Sequence, residues 1–287
     1  MNIADEIKNA FSKSNAVNKI ILINVGVFII VSLINVLLIL MNENNQIVPS
    51  FLHYLMLPAS FISFIIQPWS IFTYMFLHDL SDIFHIVFNM LWLYWIGNIF
   101  QEYLGNKKLY QAFFGGGIFG GLFFMICYNL FPFFSHSISS TFAIGASAGV
   151  LSVVVATATL LPEYPIQLFL FGTVRLKYIA IVSVVMDLIS ITGSNSGGHL
   201  AHIGGALFGF LYIKYIYGKI SFPSWIENIF KNKSKLKVHY TSNQKNTTKF
   251  NEPSQEVIDM ILDKISKSGY DSLSKKEKDI LFKASKE

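Results

Sequence analysis

The stretch GASAGVLSVVVATATLL, residues 145–161, decides the class of this protein, because small and aliphatic residues fill it without a single charge. Comparable apolar stretches recur along the 287 residues, of which 53% are hydrophobic and only 14% are charged. The mean hydropathy is +0.49. A run of about 20 mostly apolar residues crosses the hydrocarbon core of a bilayer as a helix. The composition therefore excludes an ordinary soluble domain and indicates a membrane protein.

Six apolar stretches predict transmembrane helices, and the predicted fold is an all-α, polytopic membrane bundle. The first stretch is too long for a cleaved signal peptide, whose apolar core has about 7–15 residues, so we expect it to be retained. The loop at 42–83 is also fairly apolar, but Pro58 and Pro68 interrupt any long helix, and we expect it to lie partly embedded in the outer leaflet. The predicted spans are 18–41, 85–100, 110–130, 147–161, 178–192 and 200–217.

Lysine and arginine are sorted between the two sides of the predicted bundle. They occur at or before the start of the first span, between spans two and three, between spans four and five, and at or beyond the end of span six. The loops 42–83, 131–146 and 193–199 contain none. Because cytoplasmic loops carry the excess of Lys and Arg, we expect both termini to be cytosolic and these three loops to face outward.

Changes in composition predict four regions. A cytosolic N-terminal segment, 1–17, precedes the transmembrane domain, 18–218, and the polar, lysine-rich residues 219–252 are predicted to be a flexible linker. Residues 253–287 are predicted to form a small cytosolic helical hairpin, whose second helix opens with the capping box at 274–277. A basic segment beside a bilayer is attracted to anionic lipid headgroups, so we expect lipids rather than nucleic acid as its partner.

Three sets of polar residues lie at membrane depth, where polar groups are costly and usually functional. His85 and Asn89 share one face of span two, Ser147 opens span four, and His202 lies near the outward end of span six. The predicted orientation brings all of them to the same side of the membrane. A histidine can act as the base that activates a serine nucleophile. His85, Asn89 and the backbone N–H of Ser147 could then stabilise an oxyanion.

Each of these residues also has an ordinary structural interpretation. A serine in a membrane helix often bonds a neighbouring carbonyl, a histidine at a helix end often packs at the interface, and an asparagine can join two helices. The glycine pairs Gly145 with Gly149 and Gly205 with Gly209 have the four-residue spacing that lets membrane helices approach closely. We therefore expect spans four and six to meet, and the combination of residues favours catalysis.

These motifs resemble those of the rhomboid family of intramembrane serine proteases, over roughly residues 65–215. The resemblance implies a six-transmembrane-helix bundle that cleaves transmembrane segments of other membrane proteins near the outer membrane face. It also implies a catalytic dyad of Ser147 and His202 without an acidic third member, an oxyanion hole of His85, Asn89 and Ser147, no cofactor, and a bacterial cytoplasmic membrane. The matching residues are Pro68, Trp69, Phe72, Thr73, His85, Asn89, Leu104, Gly105, 145–149, Ala201, His202, Gly205 and Gly209.

Some positions depart from the pattern of that family. Ser70, Gln101 and Leu151 stand where some members have an arginine, an acidic residue and an aromatic residue that stacks on the catalytic histidine. These departures concern structural support and the orientation of the imidazole ring. They leave the reaction class unchanged, whereas the substrate, the cleavage sequence and the oligomeric state are not indicated by any motif.

Three alternative interpretations remain. A catalytically inactive rhomboid-like protein would bind membrane proteins without cutting them. A transporter is less favoured, because no repeated halves or paired interrupted helices are seen. His199 and His202 have a spacing used at zinc sites, but no nearby carboxylates complete a ligand set, so no metal is expected. Asp187 is expected to be a buried hydrogen-bonding residue rather than a catalytic one.

Overall fold

The computed structural model describes residues 15–41, 52–168, 172–220 and 255–284, and helices dominate them. The predicted segment 1–17 and linker 219–252 fall almost wholly outside the described residues. The chain forms two compact units, 1–230 and 231–287. The helices are α1 (Ala16–Leu40), α2 (Phe61–Ile66), α3 (Ser70–Thr73), α4 (Ile83–Leu130), α5 (Ser147–Leu160), α6 (Leu176–Ser190), α7 (Ser196–Ile216), α8 (Gln255–Ser268) and α9 (Lys275–Ala284).

Two short antiparallel ribbons connect the helices of the first unit. Strand β1 (Leu57–Pro58) pairs with β2 (Phe142–Ala143), and this pairing joins the loop before α4 to the loop before α5. Strand β3 (Pro165–Leu168) pairs with β4 (Gly172–Arg175) between α5 and α6. In its described part, 52–82, the apolar loop before α4 thus contains β1, α2 and α3 rather than a further long helix.

Helix α4 covers two of the predicted spans, and it breaks between them at Gly105. This residue has φ 79° and ψ 167°, inside an otherwise helical run of 48 residues. Only glycine adopts this region of backbone conformation readily. The break separates a first arm, 83–104, from a second arm, 106–130. Together they correspond to the predicted spans two and three.

Substitution of Gly105 tests the importance of this break. Among the described residues, apart from its two chain neighbours, no heavy atom would lie within 4 Å of a Cβ added at Gly105, so the cost of Gly105→Ala comes from the backbone conformation. We expect a loss of about 1–3 kcal/mol in the free energy of unfolding, seen as a lower midpoint of thermal unfolding in detergent. Gly26→Ala is the matched control, since Gly26 is also free of neighbours but lies in regular helix. Equal midpoints for the two variants would contradict this account.

The first turn of α1 is anchored beside the break in α4. The first N–H groups of a helix have no partner within the helix and need one elsewhere. The N–H of Ala16 donates to Asn106 Oδ1 and the N–H of Val17 donates to Gln101 Oε1, both at 3.3 Å. The family departure at Gln101 therefore supplies a hydrogen bond that joins α1 to α4.

The centre of the first unit is a close contact of α5 with α7 and with the second arm of α4. A Cβ on Gly205 or Gly209 would lie 2.2 Å from the carbonyl oxygen of Ala148 or Ser152. Helix α7 therefore lies directly against the backbone of α5. On the other side, Ser152 Oγ donates to the carbonyl of Ala112 at 2.8 Å. This packing fixes the position of the start of α5.

The surface of the first unit is rich in exposed apolar side chains. On α1, Ile30, Leu33 and Leu40 are 60%, 59% and 76% exposed. Single apolar residues on a surface are ordinary, but a helix that exposes them continuously is suited to contact with lipid. Helices α1 and α4 are long and apolar enough to cross a membrane, whereas α5 has only 14 residues. The count of six membrane spans stays a prediction.

The second unit is a pair of helices joined through a short turn. Ile261 and Leu273 are buried in it, and Lys264 Nζ lies 2.9 Å from Glu277 Oε1. The predicted capping box at the start of α9 is present: the N–H of Ser274 donates to Glu277 Oε2 at 2.7 Å, and the N–H of Glu277 donates to Ser274 Oγ at 3.4 Å. The Lys264 ammonium, and then these contacts with Ser274, lower the pKa of Glu277 to about 2.

Candidate active site

Ser147 is the first residue of α5, and the chain reaches it through a turn at Gly145. The N–H of Gly145 donates to the carbonyl of Tyr74 at 2.9 Å, and its φ of +122° favours glycine. Ala146, which precedes the helix, provides no side-chain hydrogen bond to it. The first N–H groups of α5 therefore lack partners within the helix, as at any helix N-terminus, and they can donate to a developing negative charge.

His85 lies next to Ser147, with Gly145 between them. A Cβ on Gly145 would lie 3.3 Å from Ser147 Oγ and 3.4 Å from His85 Nε2, so a side chain at this position would crowd both groups. His85 belongs to the first turn of α4, where the Asp82 carboxylate accepts from the N–H of His85 at 3.3 Å. This cap holds the start of the helix and the imidazole beside the hydroxyl.

His78 is a further histidine beside His85. The residue is 5% exposed, and its ring meets the His85 ring edge-on, with centroids 5.5 Å apart. Burial, followed by the charge of His85, lowers the pKa of His78 to about 4. His78 is consequently neutral near pH 7, and its ring packs against His85 without adding a positive charge.

One cavity brings the other predicted residues together. Asn89 lies one turn after His85, and its amide Nδ2 donates to the His85 carbonyl at 3.0 Å. The cavity has a volume of about 240 Å³ and is lined among others by Asn89, Ser147, Leu151, Ser183, Asp187 and His202. The family departure at Leu151 thus places an aliphatic side chain in the same space as the hydroxyl and the imidazole.

The His202 ring is held by Asp187, which the sequence analysis did not assign to the site. His202 Nδ1 lies 2.9 Å from Asp187 Oδ1, and His199 Nδ1 lies 2.7 Å from the same oxygen. A carboxylate accepts hydrogen bonds, so each Nδ1 carries a proton, and in the neutral form of the His202 ring Nε2 keeps its lone pair. Asp187 is a buried hydrogen-bonding residue, as expected, but its partner is the candidate base. The dyad without an acidic third member stays a prediction, and an acidic side chain lies beside its histidine.

The hydroxyl and the imidazole share the cavity without a hydrogen bond between them. Within 15–41, 52–168, 172–220 and 255–284, no hydrogen bond joins Ser147 Oγ to His202. Catalytic hydrogen bonds are often long in the absence of substrate and shorten when it binds. The arrangement places a serine hydroxyl, an imidazole and several hydrogen-bond donors around one space.

The glycines expected to support helix packing have different neighbours. Gly205 and Gly209 lie against α5, as the spacing suggests. A Cβ on Gly149, however, would lie 2.7 Å from the Phe113 carbonyl oxygen, so this residue faces α4 rather than α7. Gly145 lies before the helix and faces His85. The four-residue spacing of glycines predicts that another helix packs closely at these positions, but it does not predict which helix.

A family model for the rhomboid domain matches residues 66–219. The chain belongs to the rhomboid family. A second model, for a family of unknown function, matches residues 243–287. Rhomboid relatives include RHOMBOID-like protein 12, mitochondrial, of Arabidopsis thaliana, which is 29% identical over 134 residues, or 44% of this chain. They also include presenilin-associated rhomboid-like protein, mitochondrial, of Mus musculus, 27% identical over 141 residues, or 47% of this chain.

These matches cover only part of each relative: this chain spans 40% of the plant protein and 35% of the mouse protein. Their names place both rhomboid-like proteins in mitochondria. This contradicts the expected location in a bacterial cytoplasmic membrane with cytosolic termini. The reason for the error is physical: the distribution of Lys and Arg distinguishes the two sides of a membrane, but it does not identify the membrane.

Proposed function

We propose that this rhomboid is an intramembrane serine endopeptidase that cleaves transmembrane segments of other membrane proteins. The observation that carries the proposal is the shared cavity of Ser147 and His202, in which the His202 ring is oriented by Asp187. In this proposal six helical segments span the bilayer: α1, the two arms of α4, α5, α6 and α7. The site then opens near one membrane face, and no cofactor takes part.

The reaction proceeds through an acyl-enzyme. Ser147 Oγ attacks the scissile carbonyl carbon while its proton passes to His202 Nε2. The resulting oxyanion is stabilised by the N–H of Ser147 and by His85 and Asn89. The carbon–nitrogen bond then breaks, and His202 gives its proton to the departing amine. Water attacks the ester, His202 takes the water proton, and breakage of the ester bond returns a proton to Ser147.

Asp187 has a defined part in this scheme. Its carboxylate fixes the proton on Nδ1 of His202 and keeps Nε2 available as the acceptor. It also stabilises the imidazolium that forms when Ser147 loses its proton. The His202 ring is therefore oriented before substrate binds. Substrate binding then has only to shorten the distance between Ser147 Oγ and His202 Nε2.

The experiment that tests this function uses the full chain in liposomes. A panel of labelled transmembrane peptides is incubated with the protein and the products are identified by mass spectrometry. In parallel, a serine-directed fluorophosphonate probe is applied and the modified residue is mapped. We expect cleavage, and an adduct on Ser147. Ser183 lines the same cavity with its hydroxyl bonded to the Ile179 carbonyl, and we expect no adduct there.

The inactive rhomboid-like protein is the alternative that this experiment separates. It is favoured by the missing hydrogen bond between Ser147 and His202. A folded wild-type protein that binds the peptides but neither cleaves them nor reacts with the probe would establish this alternative. Cleavage that persists in Ser147→Ala would instead exclude the proposed nucleophile.

A further inference from the structure

His199 has no part in the proposed reaction, yet it is aimed at the centre of the site. Its Nδ1 lies 2.7 Å from Asp187 Oδ1, the oxygen that also holds His202. One hydrogen bond to Asp187 is enough to orient the His202 ring. The second imidazole on the same oxygen is unexplained by serine protease chemistry alone.

The three side chains form a potential ligand set for a metal ion. One ligand atom from each of Asp187, His199 and His202 lies within 4.8 Å of the other two. Along the chain no carboxylate lies close to the two histidines, so the sequence predicts no metal site. The fold supplies that carboxylate from α6, whereas both histidines lie on α7.

The chemistry and the accessibility of this set suit a transition metal ion. Two imidazole nitrogens and one carboxylate oxygen are common zinc ligands, and three protein ligands leave a fourth position for water. The side chains of His199, His202 and Asp187 are 24%, 21% and 11% exposed, so an ion can reach them. Metal–ligand bonds of about 2.0–2.1 Å in a tetrahedral site separate the ligand atoms by about 3.3 Å. The distances from Asp187 Oδ1 to Nδ1 of His199 and to Nδ1 of His202 therefore have to lengthen by about half an ångström on metal binding.

We propose that Asp187, His199 and His202 form a binding site for a divalent transition metal ion of the Zn²⁺ class, and that the bound ion inhibits the protease. The binding part stands on the ligand geometry. The inhibition part rests on the proposed function, because it requires His202 to be the base.

Inhibition follows from the position of one proton. Without metal, His202 carries its proton on Nδ1 and accepts the Ser147 proton on Nε2. A metal ion needs the Nδ1 lone pair, so the proton of the neutral ring moves to Nε2. The ring then cannot accept a proton from Ser147. Metal binding and base catalysis therefore exclude each other at the same imidazole.

Metal binding is tested independently of proteolysis, with untagged full-length Ser147→Ala. Co²⁺ is titrated and its visible absorption recorded, and bound Zn²⁺ is measured after equilibrium dialysis. We expect one ion per chain and a four-coordinate Co²⁺ spectrum. His199→Ala in the same background should weaken binding by at least about 10²-fold, because a direct ligand is lost. His136→Ala, which removes an exposed loop histidine, should bind as before. Absence of binding, or equal binding by the His199 variant, would overturn the site.

The inhibitory role is tested with peptide cleavage at buffered free Zn²⁺. We expect the wild type to lose activity as Zn²⁺ rises and to regain it on chelation. His199→Ala should retain measurable turnover that Zn²⁺ no longer suppresses. Cleavage that is unaffected or stimulated by Zn²⁺ would overturn the inhibitory role. If neither protein cleaves without metal while Ser147→Ala still binds one ion, the proposed function fails and the metal site stands.

Discussion

Replacement of His202 by alanine is expected to abolish peptide cleavage, with a loss of at least about 10⁴-fold in kcat. A serine hydroxyl is a weak nucleophile near neutral pH unless a base removes its proton. His202 is the histidine that shares a cavity with Ser147 and has its Nδ1 bonded to Asp187, so we expect no other residue to replace it. Initial rates on a cleaved transmembrane peptide, together with the rate of fluorophosphonate labelling of Ser147, measure the effect.

His199→Ala is the matched control for this variant. Both histidines lie on α7 and bond the same carboxylate oxygen, so both substitutions remove one imidazole and one contact of Asp187. In the proposed reaction only His202 takes part in proton transfer, so we expect His199→Ala to stay within about tenfold of wild-type kcat. Similar losses in the two variants would mean that the cluster acts structurally. Full activity of His202→Ala would eliminate the assignment of the base.

Replacement of Asp187 by asparagine is expected to lower kcat by about 10²- to 10⁴-fold while leaving KM nearly unchanged. The amide has the size of the carboxylate, so the helices keep their packing. Its NH₂ group can donate to Nδ1, which moves the imidazole proton to Nε2 and removes the acceptor for Ser147. The amide also lacks the charge that stabilises the imidazolium. Steady-state kinetics and thermal unfolding on the same preparation separate these effects.

The thermal measurement decides between orientation and simple structural support for Asp187. A positioning residue should leave the unfolding midpoint close to that of the wild type while kcat falls. A fall in stability that parallels the fall in activity would assign Asp187 to packing instead. Wild-type kcat in a folded Asp187→Asn would support the predicted dyad of Ser147 and His202 without an acidic member.

Much of the fold could be predicted from apolar length and helix breakers. The long uncharged run at 147–161 predicts a helix. Helix α5 ends at Leu160, one residue before the predicted end. Helix α7 begins at Ser196, four residues before the predicted start at Leu200. The side chain of Asn195 accepts from the N–H of Gly198 and caps a helix that apolarity alone does not reveal.

The role of Asp187 could not be predicted in the same way. Asp187 and His202 lie in different helices, and their contact depends on how α6 and α7 are rotated about their axes. No local spacing encodes that rotation. One signal was present in the sequence: Asp187 is the only acidic residue in the predicted fifth span, and a lone acid at membrane depth usually has a functional partner.

In the proposed mechanism, the hydrogen bond between α6 and α7 also restricts how a substrate gains access to Ser147. The carboxylate that orients the base belongs to one helix and the imidazole to its neighbour. If α6 moved outward to admit a peptide, Asp187 would leave His202 and the proton on Nδ1 would no longer be fixed. A gate at this position would therefore disable the enzyme whenever it opened. Productive admission has to occur through another side of the bundle, or α6 has to return before the bond is cut.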